Sequence, residues 1–281
     1  MKRSITTVLL LCAIACNAQN IIYEKQDSII IENIIKEVSV KDFTDNGKML
    51  LAIADRFIGE KYIAGTLENG EKEPLFISCS QFDCTTFIEL ILAIGVTTKE
   101  KMRNFHDVCK NLEKIRYRNG IRKGYTSRLH YISWWIADSI KQEFINEVTS
   151  CKLSIKSHID LSFMSRNPSS YTMLKNNPGL INEIKALEAP FCNKDIEYIP
   201  KEMLNRKENE LPIKDGDILA LTTNIKGLDV THVGFAFWKK GVLHLLHASS
   251  RKGEVIRDNE SLYNYMKRRK QQSGVRVFRI K

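Results

Sequence analysis

An α+β fold, helices first and an antiparallel sheet after them, is predicted by two observations. Apolar residues recur at helical spacing through the first half of the chain. After Pro212 they give way to short β-rich runs separated by Gly or Lys-Lys-Gly turns. Helices and strands do not alternate, so a parallel βαβ plan does not fit. No repeat, low-complexity tract or Pro/Gly-rich linker marks a second unit, and 281 residues suffice for one substantial core. With 43% apolar and 27% charged residues, the composition excludes a disordered chain, a collagen and a small disulfide knot.

Taken in order, the chain opens with Lys2 and Arg3, an almost wholly apolar run over 5–14, and the small-residue ending Cys16-Asn17-Ala18. This layout predicts a secretory signal peptide over residues 1–18, cleaved after Ala18. The run is too short to span a bilayer, which takes roughly 20 residues, and no later segment qualifies. Lipoprotein processing at Cys16, after Ala13-Ile14-Ala15, is the alternative and would leave a lipid anchor. Either route predicts an exported, periplasmic protein in a space that permits disulfides. Export removes two of seven cysteines and leaves Cys79, Cys84, Cys109, Cys151 and Cys192.

Met49, Ile53 and Phe57 mark a helix stopped by Gly59, and a second helix is expected over 86–94, ending at Gly95. Leu129, Ile132, Ile136 and Ile140 mark one face of a third. The stretch 165–201 carries Pro168, Pro178, Pro190 and Pro200 and reads as loop-rich. Strands are expected over 217–222, 231–238, 242–249 and 274–280, interrupted by a helix between residues 260 and 271.

The chemistry starts at Asp83-Cys84. Asp83 is a good N-cap, which makes Cys84 the first residue of a helix, where the dipole favours thiolate. A structural cysteine, disulfide-bonded to Cys79, is the competing reading. A nucleophilic cysteine needs a base. Of six histidines, His106, His130 and His158 fall in or beside the helical part and read as polar surface or core residues. His232, His244 and His247 fall on a hairpin. If Lys240-Gly241 forms its two-residue turn, Trp238 faces Leu243 and Gly234 faces His247. Side-chain alternation then puts His232, Gly234 and His247 on one face and His244 on the other. His232 and His247 become diagonal neighbours, with the side-chain-free Gly234 leaving room between them.

Asp83-Cys84 opening a helix, His232-Val233-Gly234 on one strand and His247-Ala248-Ser249 on the next resemble the NlpC-type papain-like cysteine hydrolases. Tyr62, in Gly59-Glu60-Lys61-Tyr62, fits the tyrosine that precedes the nucleophile there. One branch is closer still: the N-acetylmuramoyl-L-alanine amidase-like family, formerly a domain of unknown function. Phe82-Asp83-Cys84-Thr85-Thr86-Phe87, Ser127-Arg128-Leu129-His130-Tyr131, Phe163-Met164-Ser165, Asp215-Gly216-Asp217-Ile218 and Gly227-Leu228-Asp229 carry that likeness, from about Asp45 to the C-terminus.

The resemblance implies a papain-like fold with its nucleophile at a helix N-terminus packed on the C-terminal sheet. It implies one catalytic domain over 19–281, with a helical insertion around 97–205. Cys84 would be the nucleophile, His232 the general base and His247 the residue that orients it. Tyr62, Asp83 and Arg128 are the candidate substrate-binding residues. Arg128 is a carboxylate clamp or a helix-surface arginine, Asp83 a substrate contact or only a cap, and Tyr62 a site residue or a packing one. The implied substrate is peptidoglycan or its muropeptide fragments, cut between N-acetylmuramic acid and L-alanine. A γ-D-glutamyl endopeptidase and a catalytically silent wall-binding module are the alternatives. No cofactor is required, and no Cys-x-x-Cys or His-x-x-x-His spacing offers a metal site.

The net charge of +10 suits carboxylate-bearing stem peptides. In an exported protein the run Lys267-Arg268-Arg269-Lys270 is expected to be a solvated helix face and not a nucleic-acid site. Trp134-Trp135 is expected to be core and not a sugar platform. Oligomeric state is not legible.

Overall fold

The computed structural model describes residues 20–68 and 73–281. The expected signal peptide over 1–18 and the anchor site Cys16 lie outside the described residues. The chain enters through β1 (Ile21–Ile22), α1 (Lys25–Ser39) and α2 (Asn46–Ala54). α1 turns Ile31, Ile34, Ile35 and Val38 inward at i, i+3, i+4, i+7 spacing. Three two-residue strands follow: β2 (Lys61–Tyr62), β3 (Leu75–Phe76) and β4 (Gln81–Phe82). β2 and β4 pair in parallel, which sets Tyr62 beside Phe82 just ahead of the candidate nucleophile.

α3 (Cys84–Lys99) is the central helix, buried throughout from Thr86 to Thr98. It does not end at Gly95. A Cβ there would lie 2.5 Å from Leu50 Cδ2, so Gly95 is the point where α2 presses against α3. The glycine is there for space, not for chain reversal. α4 (Phe105–Arg116) and α5 (Ile132–Lys141) complete this helical layer.

Residues 97–205, expected to be helical, also supply strands. These are β5 (Ile145–Glu147), β6 (Ile155–Ile159) and β7 (Lys194–Pro200), set around α6 (Phe163–Arg166) and α7 (Pro178–Glu188). Pro178 is no loop marker: it is the first residue of α7, where a missing N–H costs nothing, and Asn177 caps it.

The C-terminal part contributes β8 (Ile218–Thr223), β9 (Val230–Lys239), β10 (Val242–Ser249), β11 (Glu254–Arg257), α8 (Leu262–Lys267) and β12 (Gln272–Ile280). Among the described residues they build a ten-stranded sheet, ordered β4-β2-β11-β10-β9-β8-β12-β7-β6, with β5 also on β12. Pairing through β11, β10, β9, β8 and β12 is antiparallel.

The β9–β10 register sets Lys239 opposite Val242, Trp238 opposite Leu243 and Phe235 opposite Leu246. Lys240 and Gly241 both take positive φ, 53° and 75°, as a type I′ turn requires. The central sheet is buried on both faces. Ile218, Phe235 and Leu246 join the helical layer, while Leu219, Leu221, Ala236, Leu243 and Leu245 pack with Leu262, Tyr265 and Met266 around α8. The fold is thus a mixed helix–sheet architecture around one large sheet.

Candidate active site

Cys84 begins α3, and the cap in front of it is reciprocal. Asp83 Oδ1 accepts from the amides of Thr85 (3.0 Å) and Thr86 (2.8 Å), and Thr86 Oγ1 accepts from the Asp83 amide (2.9 Å). The Cys84 thiol is half-buried, and it is free of any disulfide, as are the buried Cys79 and Cys109, the half-buried Cys151 and the exposed Cys192. Cys79 is turned away into the core, its amide donating to Asp27 Oδ1 (2.8 Å), so Cys84 carries no disulfide.

The helix dipole favours a thiolate at this position, but burial and a neighbouring negative charge outweigh it. Burial, and then the Asp83 charge, push the Cys84 thiol up to about 12. Hydrogen bonds from the Val233 amide, the Thr85 hydroxyl and the Cys84 amide only partly offset this.

His232 enters from β9. The β8 pairing shifts between Leu221–His232 and Thr222–Val230, so Thr231 is an extra residue that re-aims the strand immediately before the histidine. His232 Nε2 lies 2.6 Å from His247 Nδ1 on β10, with ring centroids 4.8 Å apart at 83°. A Cβ on Gly234 would come within 2.7 Å of Leu245 Cδ1 and 3.0 Å of His247 Cβ, so the glycine leaves the space that the Leu245 and His247 side chains occupy. His244 points to the opposite face, with Nδ1 3.0 Å from the carbonyls of Asp258 and Glu260 and its ring stacked on Phe237. Tyr265 of α8 stacks over His232 (6.3 Å, 30°) and meets His247 edge-on (5.6 Å, 89°). Burial first, then the neighbouring charges of His247 and Arg269, hold His232 well below the usual imidazole range, so it rests neutral at pH 7.

Cys84, Asp83 and His232 line one cleft of about 250 Å³. Tyr62 stands beside them on β2; burial and the charges of Cys84 and Asp83 push its phenol up to about 12. Arg128 also lines the cleft, but it is not a helix-surface arginine. It is buried, bridges to Tyr117, and already holds two carboxylates, Glu68 at 2.7 Å and Glu73 at 3.1 Å.

His130, read as surface or core, lines the same cleft. Its Nε2 lies 2.8 Å from the Tyr125 carbonyl. That nitrogen must carry the proton, which leaves Nδ1 as an acceptor. The other acids of the cleft are engaged too. Glu89 takes the Arg116 guanidinium at 2.7 Å, and Asp229 accepts from the Ser133 (2.6 Å) and Val230 (2.8 Å) amides. The chain's excess positive charge is therefore not concentrated here. Arg268, Arg276 and Arg279 of the C-terminal region pair with Glu260, Glu147 and Asp217, and Trp134 and Trp135 are core residues.

Sequence reasoning missed Asp258, whose Oδ2 lies 3.7 Å from His247 Nε2, along with Tyr265 and the Glu68 and Glu73 partners of Arg128. The signal for Asp258 was its place one residue beyond β11. Recognising a four-residue strand would have been needed to place it.

Fold and cleft together define a protein of the amidase-like class. Residues 52–275 match the profile of the N-acetylmuramoyl-L-alanine amidase-like family, and the chain belongs to that family. Among solved structures, it is similar to an N-acetylmuramoyl-L-alanine amidase from Bacteroides uniformis, with 38% identity and a TM-score of 0.80 over 84% of this chain and 99% of that one. A Bacteroides fragilis protein provisionally called a xylanase is 43% identical, with a TM-score of 0.76 over 81% of this chain and 98% of that one. A Legionella pneumophila protein, 20% identical with a TM-score of 0.69 over 91% and 94% of the two chains, shares the fold. No curated protein matches the chain.

Proposed function

We propose that this protein is an exported, periplasmic cysteine amidase of papain-like NlpC type. It would hydrolyse the amide between N-acetylmuramic acid and L-alanine in peptidoglycan fragments. The observation that carries the reading is one cleft holding a capped helix-start cysteine and a neutral histidine whose far nitrogen is bound by a second histidine at 2.6 Å. The name of the Bacteroides uniformis neighbour, an N-acetylmuramoyl-L-alanine amidase, and the family match support the bond assignment.

At rest the thiol and imidazole are both neutral, since burial raises the first and lowers the second. As the substrate carbonyl arrives, the Cys84 proton passes to His232 Nδ1 and sulfur attacks carbon. The Cys84 amide at the start of α3 faces the developing oxyanion. The tetrahedral intermediate collapses, His232 returns its proton to the departing L-alanine nitrogen, and water activated by the same imidazole hydrolyses the thioester. His247 holds the His232 ring and its tautomer. This route does not use Arg128 as a carboxylate clamp unless Glu68 or Glu73 gives way.

Digestion of purified muropeptides, read by mass, tests the reading. Free N-acetylmuramic-acid-ended sugar plus an intact stem peptide is expected. Released dipeptide would instead make the protein a γ-D-glutamyl endopeptidase. No cleavage by wild type, or undiminished cleavage by Cys84→Ala, would overturn it.

A further inference from the structure

His247 is fully buried, and of its two ring nitrogens only Nδ1 is hydrogen-bonded, to His232. Among the described residues, Nε2 is a buried polar atom without a hydrogen-bond partner, and Asp258 Oδ2 stands 3.7 Å from it. Such an orphan is destabilising unless a nearby charge compensates it. We propose that Asp258 is a positioning residue of the catalytic machinery, extending it to Cys84–His232–His247–Asp258. This rests on the amidase reading above.

The argument is one of tautomers. A neutral imidazole carries one proton, so the group facing one nitrogen decides what the other nitrogen can do. A carboxylate facing His247 Nε2 keeps the proton there and makes Nδ1 an acceptor. His232 must then present Nε2–H to it, and His232 Nδ1 is left with the lone pair that takes the thiol proton. The opposite tautomer, Nδ1–H on His247, would invert the chain and put a proton on the nitrogen that must act as base.

When His232 becomes imidazolium, its new charge is stabilised through His247 by Asp258, and no proton passes to the carboxylate. A separation of 3.7 Å is longer than a hydrogen bond, but catalytic contacts in unloaded sites commonly tighten when the charge forms.

The carboxylate is itself fixed. Asp258 Oδ1 accepts from the Glu260 amide (3.0 Å), its backbone amide is bonded to Leu245 of β10, and its carbonyl faces His244. The nearby His247, ahead of the opposing effect of burial, holds Asp258 below the usual carboxylate range, and the Glu260 amide and Lys252 act in the same direction. The other groups around the histidine pair are Tyr265 of α8, whose ring meets both, Arg269 just beyond α8, whose charge acts on His232, and Cys84 with its cap Asp83, which line the same cleft as His232. None of them faces His247 Nε2 as Asp258 does.

The test uses full-length Asp258→Asn and Asp258→Ala, checked for cooperative melting. Two readouts are taken: muropeptide kinetics, and the rate of Cys84 alkylation by iodoacetamide across pH, which needs no substrate. Expected is a roughly tenfold to hundredfold fall in kcat for Asp258→Ala with KM little changed. Asp258→Asn, which keeps an oxygen acceptor toward Nε2–H, should lose less. Alkylation at pH 7 should slow in the same order, and its acidic limb should move to lower pH because the imidazolium has lost its counter-charge. Should the alanine variant not fold, the asparagine variant alone carries the test. A folded variant with unchanged alkylation profile and kcat overturns the proposal. If wild type cleaves no muropeptide, the alkylation arm still decides the role of Asp258, separately from the function.

Discussion

His232 Nε2 and His247 Nδ1 lie 2.6 Å apart, close enough that one proton is shared between two nitrogens which cannot both be donors or both be lone pairs. In the proposed mechanism the base is therefore defined by its neighbour. His247→Ala should lower kcat by a factor of roughly 10² to 10⁴, the range of a lost acid–base contribution. His247→Asn, whose amide oxygen can stand where Nδ1 stands, should recover part of it. Kinetics on muropeptides with melting curves for both variants check this. Equal activities would show that the acceptor at this position does nothing.

Asp83 has two separable effects on Cys84. Its side chain closes the capping box, and its charge helps keep the thiol protonated, second only to burial. Asp83→Asn keeps an acceptor at the cap and removes the charge, so Cys84 alkylation near neutral pH should speed up with little loss of stability. Asp83→Ala removes both, and should cost about 1 kcal/mol of stability as well. Alkylation rates beside thermal melts separate the two, and no acceleration in Asp83→Asn would mean that its charge does not reach the sulfur.

The β9–β10 hairpin was readable because two long strands flank a two-residue turn with a glycine in it. Local geometry then determined which histidines share a face. The pieces around it were not readable, for physical reasons. β2, β4 and β11 run two to four residues, too short for alternation to show, and exist only through pairing across the chain. Gly95 carries the same letter as a helix stop yet sits mid-helix, because close packing against Leu50 and chain reversal ask for the same residue. Glu68 and Glu73 meet Arg128 from 60 and 55 positions away, and nothing local forecasts such a contact.

Gly234 is the position where hairpin packing and the histidine pair meet. The added methyl of Gly234→Ala would press on Leu245 and His247 Cβ, both within 3.0 Å. About 1–3 kcal/mol of destabilisation is expected from overpacking, with a loss of kcat beyond what the lower melting temperature explains. Gly241→Ala, where a Cβ meets nothing within 4 Å and only the positive φ is strained, should cost stability without touching kcat. Paired denaturation and kinetics on the two variants test the contrast, which fails if both lose activity alike.

Burying Arg116 and Glu89 together beside the cleft makes their pair sensitive to removal of one partner. They meet at 2.7 Å, each all but inaccessible, and Arg116 also donates to the Phe76 carbonyl at 2.6 Å. Arg116→Met leaves the Glu89 carboxyl, already raised by burial, without its counter-charge. A loss of about 3–5 kcal/mol is expected, against much less for the double variant Arg116→Met with Glu89→Leu. Chemical denaturation of the two proteins measures it; equal losses would show that the orphaned charge is not the cause.

Acid should unfold this protein earlier than its carboxylates alone would predict. His130 and His232 are held well below the usual imidazole range in the folded chain, chiefly by burial, with Arg128 adding to it at His130 and His247 at His232. The unfolded chain, with imidazoles titrating near about 6.5, then binds more protons than the folded one wherever pH lies between the two values. Stability therefore holds above about pH 6.5 and falls as pH drops through and below it. His130→Gln, which cannot gain that charge and can still donate toward the Tyr125 carbonyl, should flatten the fall between pH 7 and 5 while leaving the His232 share in place. Urea denaturation midpoints across that window read the slope directly. A wild-type midpoint that does not move between pH 7 and 5 would mean that neither histidine is held neutral by the fold.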